Sequence, residues 1–555
     1  MSEPSFDLLT EPWVPVRALD GSLHELSLRA VFAQAHELTS LGGELATTGV
    51  ALLRLLLAIV HRTVDAEGYD LYRPMEVWRG LWDAPTLPTA HIDAYLTRYA
   101  DRFDLLHPKA PFLQVADLTT AKGTGGSLRA LIADVPNNRQ LFSTRAGAAL
   151  ASMGFAEAAR WVVHCQAYDP SGIKSGAVGD PRVKGGKGYP IGMAWAGGIG
   201  VVMAEGRTLK DTLLLNLVLR TRSGDSLPEG DSAVWERPPL TAHLEGTGSR
   251  VPRGPADLLS WPSRRIRLSH DGVRVTGVLV ANGDALARPD RFEEAMTAWR
   301  RSEPQEKLLK HSPVYMPLQH QPERSLWRGL GALLPQAPLP TGDNAARRPP
   351  TTLQWLGELQ SSGFLRADLV LRTRAVGLVY GTNDSVVDDL VDDALDLHVG
   401  LLGQQGRQLS LAAVEAVTAA DRAARALGQL AGNLTAAAGG DPEATTAAAR
   451  ERCYFALDVP FRRWLAARQL GDDPHEARLR WERFADRVAS DLASSLLASA
   501  GPAAWVGRQV TQRTGRRHVD AALADVWFRH ALHEALPLAR PATADAGAPA
   551  QRETP

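Results

Sequence analysis

Apolar and polar positions alternate in two different rhythms along this chain. From about Gly403 onward the apolar residues recur at helical spacing, and four long alanine-rich helices are expected over about 409–437, 443–469, 475–499 and 517–536. Gly439-Gly440 and Gly471 should stop two of them, and Pro460 should kink the second. Short connections between such helices predict an antiparallel four-helix bundle. Before residue 400 the pattern is mixed. "RIRLSHDGVRVTGVLVANG" alternates as strands do, and two β-type runs flank Asp20-Gly21, a dipeptide that closes hairpins. "GMAWAGGIGVVMAEG" also reads as β-like. Helices are expected at about 44–65, 86–103 and 146–166 and in "TLKDTLLLNLVLRT". The segment 221–265 is rich in Gly, Pro and Ser and shows little periodicity. "RADLVLRTRAVGLVYGTNDSVVDDLVDDALDLHVG" reads as strands followed by an acidic amphipathic segment. The expected class is α+β: a large mixed α/β N-terminal domain (1–400), an all-α four-helix bundle (401–540) and a disordered tail (541–555), whose composition is too poor in apolar residues to fold.

Composition narrows the functional classes. Hydrophobic residues make up 45% of the 555 and charged residues 22%, which allows a sizeable core. Lys plus Arg is 61 against 62 Asp plus Glu, so any nucleic-acid surface has to be a local patch. The two cysteines, Cys165 and Cys453, form no CxxC pair, which speaks against a cysteine zinc site and for an intracellular protein. No signal peptide is expected from the acidic opening "MSEPSFDLLTEPW". The longest apolar run, Gly49 to Val60, carries Arg54 and is short for a membrane span, so a buried helix is expected there.

Enzyme signatures are sparse. The chain contains no HExxH, GxSxG or paired CxxC, and Gly186-Lys187 is followed by Gly188 where a phosphate-binding P-loop needs Ser or Thr. Asp388, Asp389, Asp392, Asp393 and Asp396 form the tempting metal constellation. Spacings of three and four favour a solvated helix face over a divalent-metal site. His311 reads as structural, and no nucleophile, base and orienting group stand out as a set.

The segment Ala167 to Gly192, "AYDPSGIKSGAVGDPRVKGGKGYPIG", holds seven glycines, three lysines and one arginine against two acids. Glycine lets a backbone approach a phosphate closely enough to grip it through N–H groups, and lysines add attraction. Gly172, Lys174, Ser175 and Gly176 are therefore candidate nucleic-acid contacts; the alternative is a surface loop with incidental lysines. Further basic runs hold Arg250, Arg253, Arg264, Arg265 and Arg267; Arg300, Arg301, Lys307 and Lys310; and Arg508, Arg513, Arg516 and Arg517.

The collinear set "FDLLTEPWVPV", "LHPKAPFLQV", "TLKDTLLLNLVL" and "HSPVYMP", followed by the helical C-terminal part, resembles the CasA family, the large subunits of the type I-E CRISPR surveillance complex Cascade. The resemblance spans about Phe6 to Pro537. It implies a mixed N-terminal domain, a C-terminal bundle, no catalysis, and neither a metal nor a cofactor. The implied place of work is the cytoplasm, with no membrane. The implied partners are the other Cascade subunits (CasB, CasC, CasD and CasE), the 5′ handle of the crRNA, double-stranded target DNA and a helicase-nuclease. The implied task is to inspect the protospacer-adjacent motif (PAM), promote duplex opening and R-loop formation, and help dock the helicase-nuclease.

Residue by residue, the family's glycine-rich PAM loop looks like Asp169 to Gly176, giving Ser171, Gly172, Ile173, Lys174, Ser175 and Gly176 as candidates. The crRNA-handle loop looks like "DVPNNRQLF", with Val135, Asn137 and Asn138. The duplex wedge looks like "VYGTNDSV", with Asn383, Asp384 and Ser385 at its tip. The family pattern expects a glutamine where Asp384 falls, and a carboxylate is less comfortable beside phosphates, which shifts weight to Asn383. A PAM-reading lysine is expected on a loop near 294–301; no lysine aligns there, and Arg300 or Arg301 stands in its place. Two rivals remain: a scaffold without DNA readout, and a nucleotide hydrolase built on Lys174 and the acids between Asp384 and Asp396.

Overall fold

A computed structural model describes residues 4–123, 125–135, 145, 147–219, 230–243, 249–336, 347–512 and 515–539. These residues divide into two compact units. The first holds the described residues up to Arg324, those from 347 to Leu365, and Leu371–Ala394; the second holds those from Ser325 to 336, Arg366–Val370 and the chain from Leu395 on.

The first unit is built round the helix Ala46–Ala66, whose buried residues cover nearly all its faces. The one charge within its apolar run, Arg54, is 3% exposed and meets Glu294, itself 1% exposed, at 2.9 Å. Trp195 Nε1 donates to the same carboxylate at 2.7 Å. A buried charge is tolerated only when paired and hydrogen-bonded, so this apolar run is a core helix. Among the described residues the same unit carries four small sheets. Val14–Ala18 pairs with Leu23–Leu26 through a turn in which Gly21 has φ 87°, the conformation Asp20-Gly21 predicts. Val370–Tyr380 is the middle strand between Val201–Glu205 and Val387–His398. A four-stranded sheet runs Lys187–Gly188, Lys174–Ser175, Val275–Asn282, Arg264–His270, and it carries part of the glycine-rich segment. The remaining sheet joins Tyr315–Pro317, Trp299–Arg301 and Arg347–Arg348.

Several sequence expectations need correction. The acidic run is a strand, Val387–His398, not a helix. Spacing of carboxylates at 388, 389, 392, 393 and 396 fits both periods; the neighbouring strand decides, because Arg374 on it holds Asp392 through two hydrogen bonds of 2.6 and 2.7 Å. In "GMAWAGGIGVVMAEG" only Val201–Glu205 is strand, preceded by a single 3₁₀ turn. The helix expected at 86–103 is Thr89–Arg98 with a short 3₁₀ turn behind it, and that at 146–166 is Phe155–Tyr168.

In the second unit the helix Arg407–Ala438 packs against Pro442–Ala466, Pro474–Ala498 and Ala521–Ala535. Its buried face is mostly alanine, which brings the partner helices close; Trp481 Nε1 donates to the carbonyl of Ala416 at 3.0 Å. Asp441 and Asp473 cap the two middle helices with proline at the first helical position. The second helix continues past Pro460 to Ala466. The segment from 508 is a hairpin, Arg508–Gln512 with Gly515–Val519, so the last helix begins at Ala521 and not at 517. The tail 541–555 lies outside the described residues.

Candidate nucleic-acid interface

Every residue of this site belongs to the first unit. The helix Phe155–Tyr168 delivers the chain to Asp169, whose carboxylate is buried. Two cations meet it: Arg264 through Nε, and Lys174 through Nζ at 2.6 Å. Arg264 is 1% exposed. Its Nη2 also donates to the carbonyls of Pro170 at 3.0 Å and Gly192 at 2.9 Å. One buried guanidinium thus ties together the two ends of the glycine-rich segment, and only a planar five-donor group can make this fork.

Between those ends the backbone is shaped by glycine at two places. Gly172 has φ 122°, which side-chain-bearing residues rarely adopt. At Gly176 a Cβ would lie 2.5 Å from the carbonyl oxygen of Gly186, so the small residue permits the close pairing of Lys174–Ser175 with Lys187–Gly188. Ile173, directly after Gly172, is 59% exposed. Among the described residues no acceptor meets the amides of Gly172 and Ile173. Those two N–H groups are free donors on a protruding loop.

The hairpin Val370–Tyr380 and Val387–His398 turns at Thr382–Asp384. Asn383 and Asp384 take left-handed conformations, φ 57° and 54°, which Asn and Asp tolerate best among residues with a Cβ. Asn383, Asp384 and Ser385 are all exposed. The amide of Ser171 donates to the carbonyl oxygen of Asp384 at 2.8 Å, and the Tyr380 hydroxyl donates to the carbonyl of Tyr168 at 2.6 Å. The glycine-rich loop and the hairpin tip, far apart in sequence, are therefore one bonded assembly. The negative charge of Asp384 acts on the largely buried guanidinium of Arg288, whose pKa burial otherwise lowers.

The candidate residues do not all stand where a ligand could meet them. Ser171 is buried and its amide is used, and Gly176 is buried. Lys174 is committed to Asp169, which also removes the cation on which a hydrolase reading relied. Val135 is 2% exposed, so its side chain faces inward; Asn137 and Asn138 lie outside the described residues. Arg300 and Arg301 sit on the strand Trp299–Arg301 and not on a loop. Both are exposed, but Arg301 is held by Glu306 at 2.6 Å and keeps that carboxyl down at about 2.

In the other basic runs Arg264 and Arg265 are internal, whereas Arg253, Lys307, Lys310, Arg508, Arg516 and Arg517 are exposed. Arg265 is 1% exposed and bonds Asp284 at 2.7 Å, and Arg250 is clamped to Asp257. Arg508 donates to the carbonyls of Ala437 and Ala438 and so caps the end of the helix Arg407–Ala438. Sequence reasoning missed Arg264 as the organiser of the loop. No local signal distinguishes it from its neighbours, because its partner Asp169 lies 95 residues earlier.

Neither Cys165 nor His164, the titratable pair on the helix leading to the loop, is poised for covalent chemistry. Burial pushes the Cys165 thiol up, so it stays protonated, and holds His164 down at about 3, so it stays neutral. Among the described residues no three His, Cys, Asp or Glu converge as metal donors.

The family model for CRISPR-associated protein Cse1 matches residues 7–492. The crystal structure of Cse1 from Thermobifida fusca is similar to this chain with 46% identity and a TM-score of 0.87, covering 97% of this chain and 99% of that one. CRISPR-associated protein CasA/Cse1 of Thermus thermophilus is 29% identical over 538 residues, 93% of this chain and 95% of that protein. A chain of a CRISPR RNA-guided surveillance complex shares the fold at 21% identity, with a TM-score of 0.67 over 89% of this chain and 99% of that one. With the family model spanning most of its length and a Cse1 structure covering nearly all of it at 46% identity, this chain belongs to the CasA/Cse1 family of CRISPR-associated proteins.

Proposed function

We propose that this protein is the large subunit of a crRNA-guided Cascade complex, that it reads the PAM of double-stranded DNA with the loop Gly172–Ser175, and that it opens the duplex with the hairpin tip at Asn383. Its partners are then the remaining Cascade subunits, the crRNA handle, target DNA and a helicase-nuclease. One observation carries the reading: the 2.8 Å hydrogen bond from the Ser171 amide to the Asp384 carbonyl oxygen, which binds probe and wedge into one body.

The free amides of Gly172 and Ile173 supply donors without bulky side chains. Donors of that kind suit the minor groove, where A·T and T·A pairs both present only acceptors, so readout is permissive. Unstacking one base step costs about a few kcal/mol, and R-loop formation is close to balanced. A tip whose backbone is fixed in a left-handed turn and anchored to the loop can tip that balance with no bond made or broken. The duty falls on Asn383 and Ile173 more than on Lys174, whose charge is already matched. Arg300, exposed and on a separate sheet of the same unit, adds attraction to phosphate.

The test is a gel shift of the reconstituted complex on PAM and non-PAM duplexes. Gly172→Asp, which places a carboxylate beside the free amides, is expected to lower PAM-duplex affinity at least tenfold. Asn383→Ala is expected to keep PAM binding and slow strand opening. Unchanged binding and opening in both variants would refute the assignment.

A further inference from the structure

The buried arginines Arg54, Arg62, Arg264 and Arg265 each spend their guanidinium on a carboxylate. Arg288 does not. It is largely buried too, yet no described residue forms a hydrogen bond or an ion pair with it, and none of its three nitrogens is sealed from solvent. The backbone makes room for it. At Gly198 the three atoms nearest to an added Cβ all belong to this guanidinium, with Cζ at 2.7 Å, so the glycine lets the group lie against the turn Ala196–Gly198. Its Nη2 also comes near Gly192, at the end of the glycine-rich segment. From the hairpin, Asp384 and Tyr380 act on its charge without bonding to it. Arg288 thus stands close to both the segment's end and the wedge tip. Burial lowers its pKa, so its surroundings disfavour the cation and offer no acceptor in return. Strained electrostatics of this kind gather at functional sites, where a ligand supplies the missing partner.

We propose that Arg288 binds one phosphate of the DNA backbone, at the step where the hairpin tip parts the strands. The proposal rests on the DNA-opening function above and adds the cation which that reading lacks at the tip, since Lys174 is held by Asp169. A guanidinium presents paired N–H donors in a plane, and two phosphate oxygens match them while neutralising the charge. Guanine offers the same fork two acceptors in the major groove, but no charge. A cation that its surroundings disfavour gains more from an anion than from a neutral edge. The neighbour at the tip argues for the same ligand. Asp384 is exposed, and its carboxylate repels a phosphate chain; a guanidinium with unused donors near it turns that repulsion into attraction. Gripping the phosphate would hold the strand once Asn383 has displaced its base, so wedge and grip act in succession on one opening step.

The experiment uses the assembled complex and PAM-bearing duplexes in which one phosphate at a time, on either strand around the first opened pair, is replaced by a neutral methylphosphonate. At one position the wild-type complex is expected to lose affinity about tenfold. Arg288→Gln, weakened to the same degree on the unmodified duplex, should lose nothing further at that position. Gly198→Ala, which displaces the guanidinium and keeps its charge, should behave as Arg288→Gln does, and it carries the test if the glutamine variant fails to fold. Arg288→Lys, which keeps the charge and gives up the fork, should recover part of the affinity. A merely structural arginine would weaken binding without this coupling to a single phosphate. Equal losses in wild type and variants at every position, with PAM duplexes still preferred over non-PAM ones, overturn the role of Arg288 alone. A wild-type complex without that preference overturns it together with the function it rests on.

Discussion

Arg264 and Asp169 form an ion pair in which the two side chains are 1% and 6% exposed, at the root of the loop that carries Gly172. Removing Arg264 leaves the buried Asp169 carboxylate with Lys174 as its remaining cation, and loss of one partner from a buried pair costs about 3–5 kcal/mol. Arg264 also donates to the Pro170 and Gly192 carbonyls, so its loss opens the loop at both ends. Arg264→Met is therefore expected to lower unfolding stability by about 3–5 kcal/mol in urea titration, whereas Lys174→Met, which leaves Arg264 on Asp169, loses only about 1–2 kcal/mol. Equal losses would mean that the two cations share the load.

The two glycines of the loop should respond to alanine for different reasons. At Gly172 a Cβ meets nothing nearer than Ser385 Cβ at 3.8 Å, so the cost is the backbone conformation itself, about 1–2 kcal/mol. At Gly176 the conformation is ordinary and the Cβ collides with the Gly186 carbonyl, so the short strand pair has to separate. Thermal melts are expected to show a modest drop for Gly172→Ala and a larger one for Gly176→Ala. Asparagine, which tolerates the left-handed region near φ 60°, should not recover the loss at 172, whose φ of 122° lies well outside it.

Stability is expected to fall on mild acidification through two buried histidines. Burial holds His164 at about 3 and His61 at about 4 in the folded protein, against about 6.5 when unfolded. Below the unfolded value the unfolded chain binds more protons than the folded one, so stability decreases as pH drops through 6.5 and continues to decrease until the folded values are reached. Between pH 7 and 5.5 the two together take away about 2–3 kcal/mol. Denaturant titrations at both pH values should show this, and His164→Phe should halve the difference. An undiminished difference in that variant would assign the pH dependence to other groups.

How far the sequence revealed this molecule depends on where the deciding partner lies. The bundle helices were legible because their signals are local: alanine-rich faces at helical spacing, and glycines such as the left-handed Gly439 at the end of the first. The Asp20-Gly21 turn was legible for the same reason, whereas the hairpin at Asn383 was expected only from the family resemblance. The acidic strand was not, since "VDDLVDDALDL" fits a helix as well as a strand until Arg374 stands opposite Asp392. The glycine-rich loop announced itself by composition, but which of its cations remain available did not. Lys174 looked like a phosphate ligand and Arg264 like surface, and both turn inward to one carboxylate. Charge runs specify attraction, and the fold decides whether an internal acid or an external phosphate receives it.

That distinction can be measured from the salt dependence of DNA binding. Each arginine that touches a phosphate adds about one to the slope of log affinity against log salt. No described side chain pairs with Arg300, so Arg300→Ala should lower that slope by about one and weaken PAM and non-PAM duplexes alike. Arg301→Ala should lower it by less, because Glu306 already matches much of its charge. Arg265→Ala should leave the slope unchanged and instead destabilise the protein, since it removes the buried cation that hydrogen-bonds the Asp284 carboxylate and leaves that carboxylate more weakly compensated. A slope that falls with Arg265 and not with Arg300 would mean that the sheet holding Trp299–Arg301 faces away from DNA. The attraction would then belong to Lys184 and Lys187, which stand exposed on the glycine-rich segment itself.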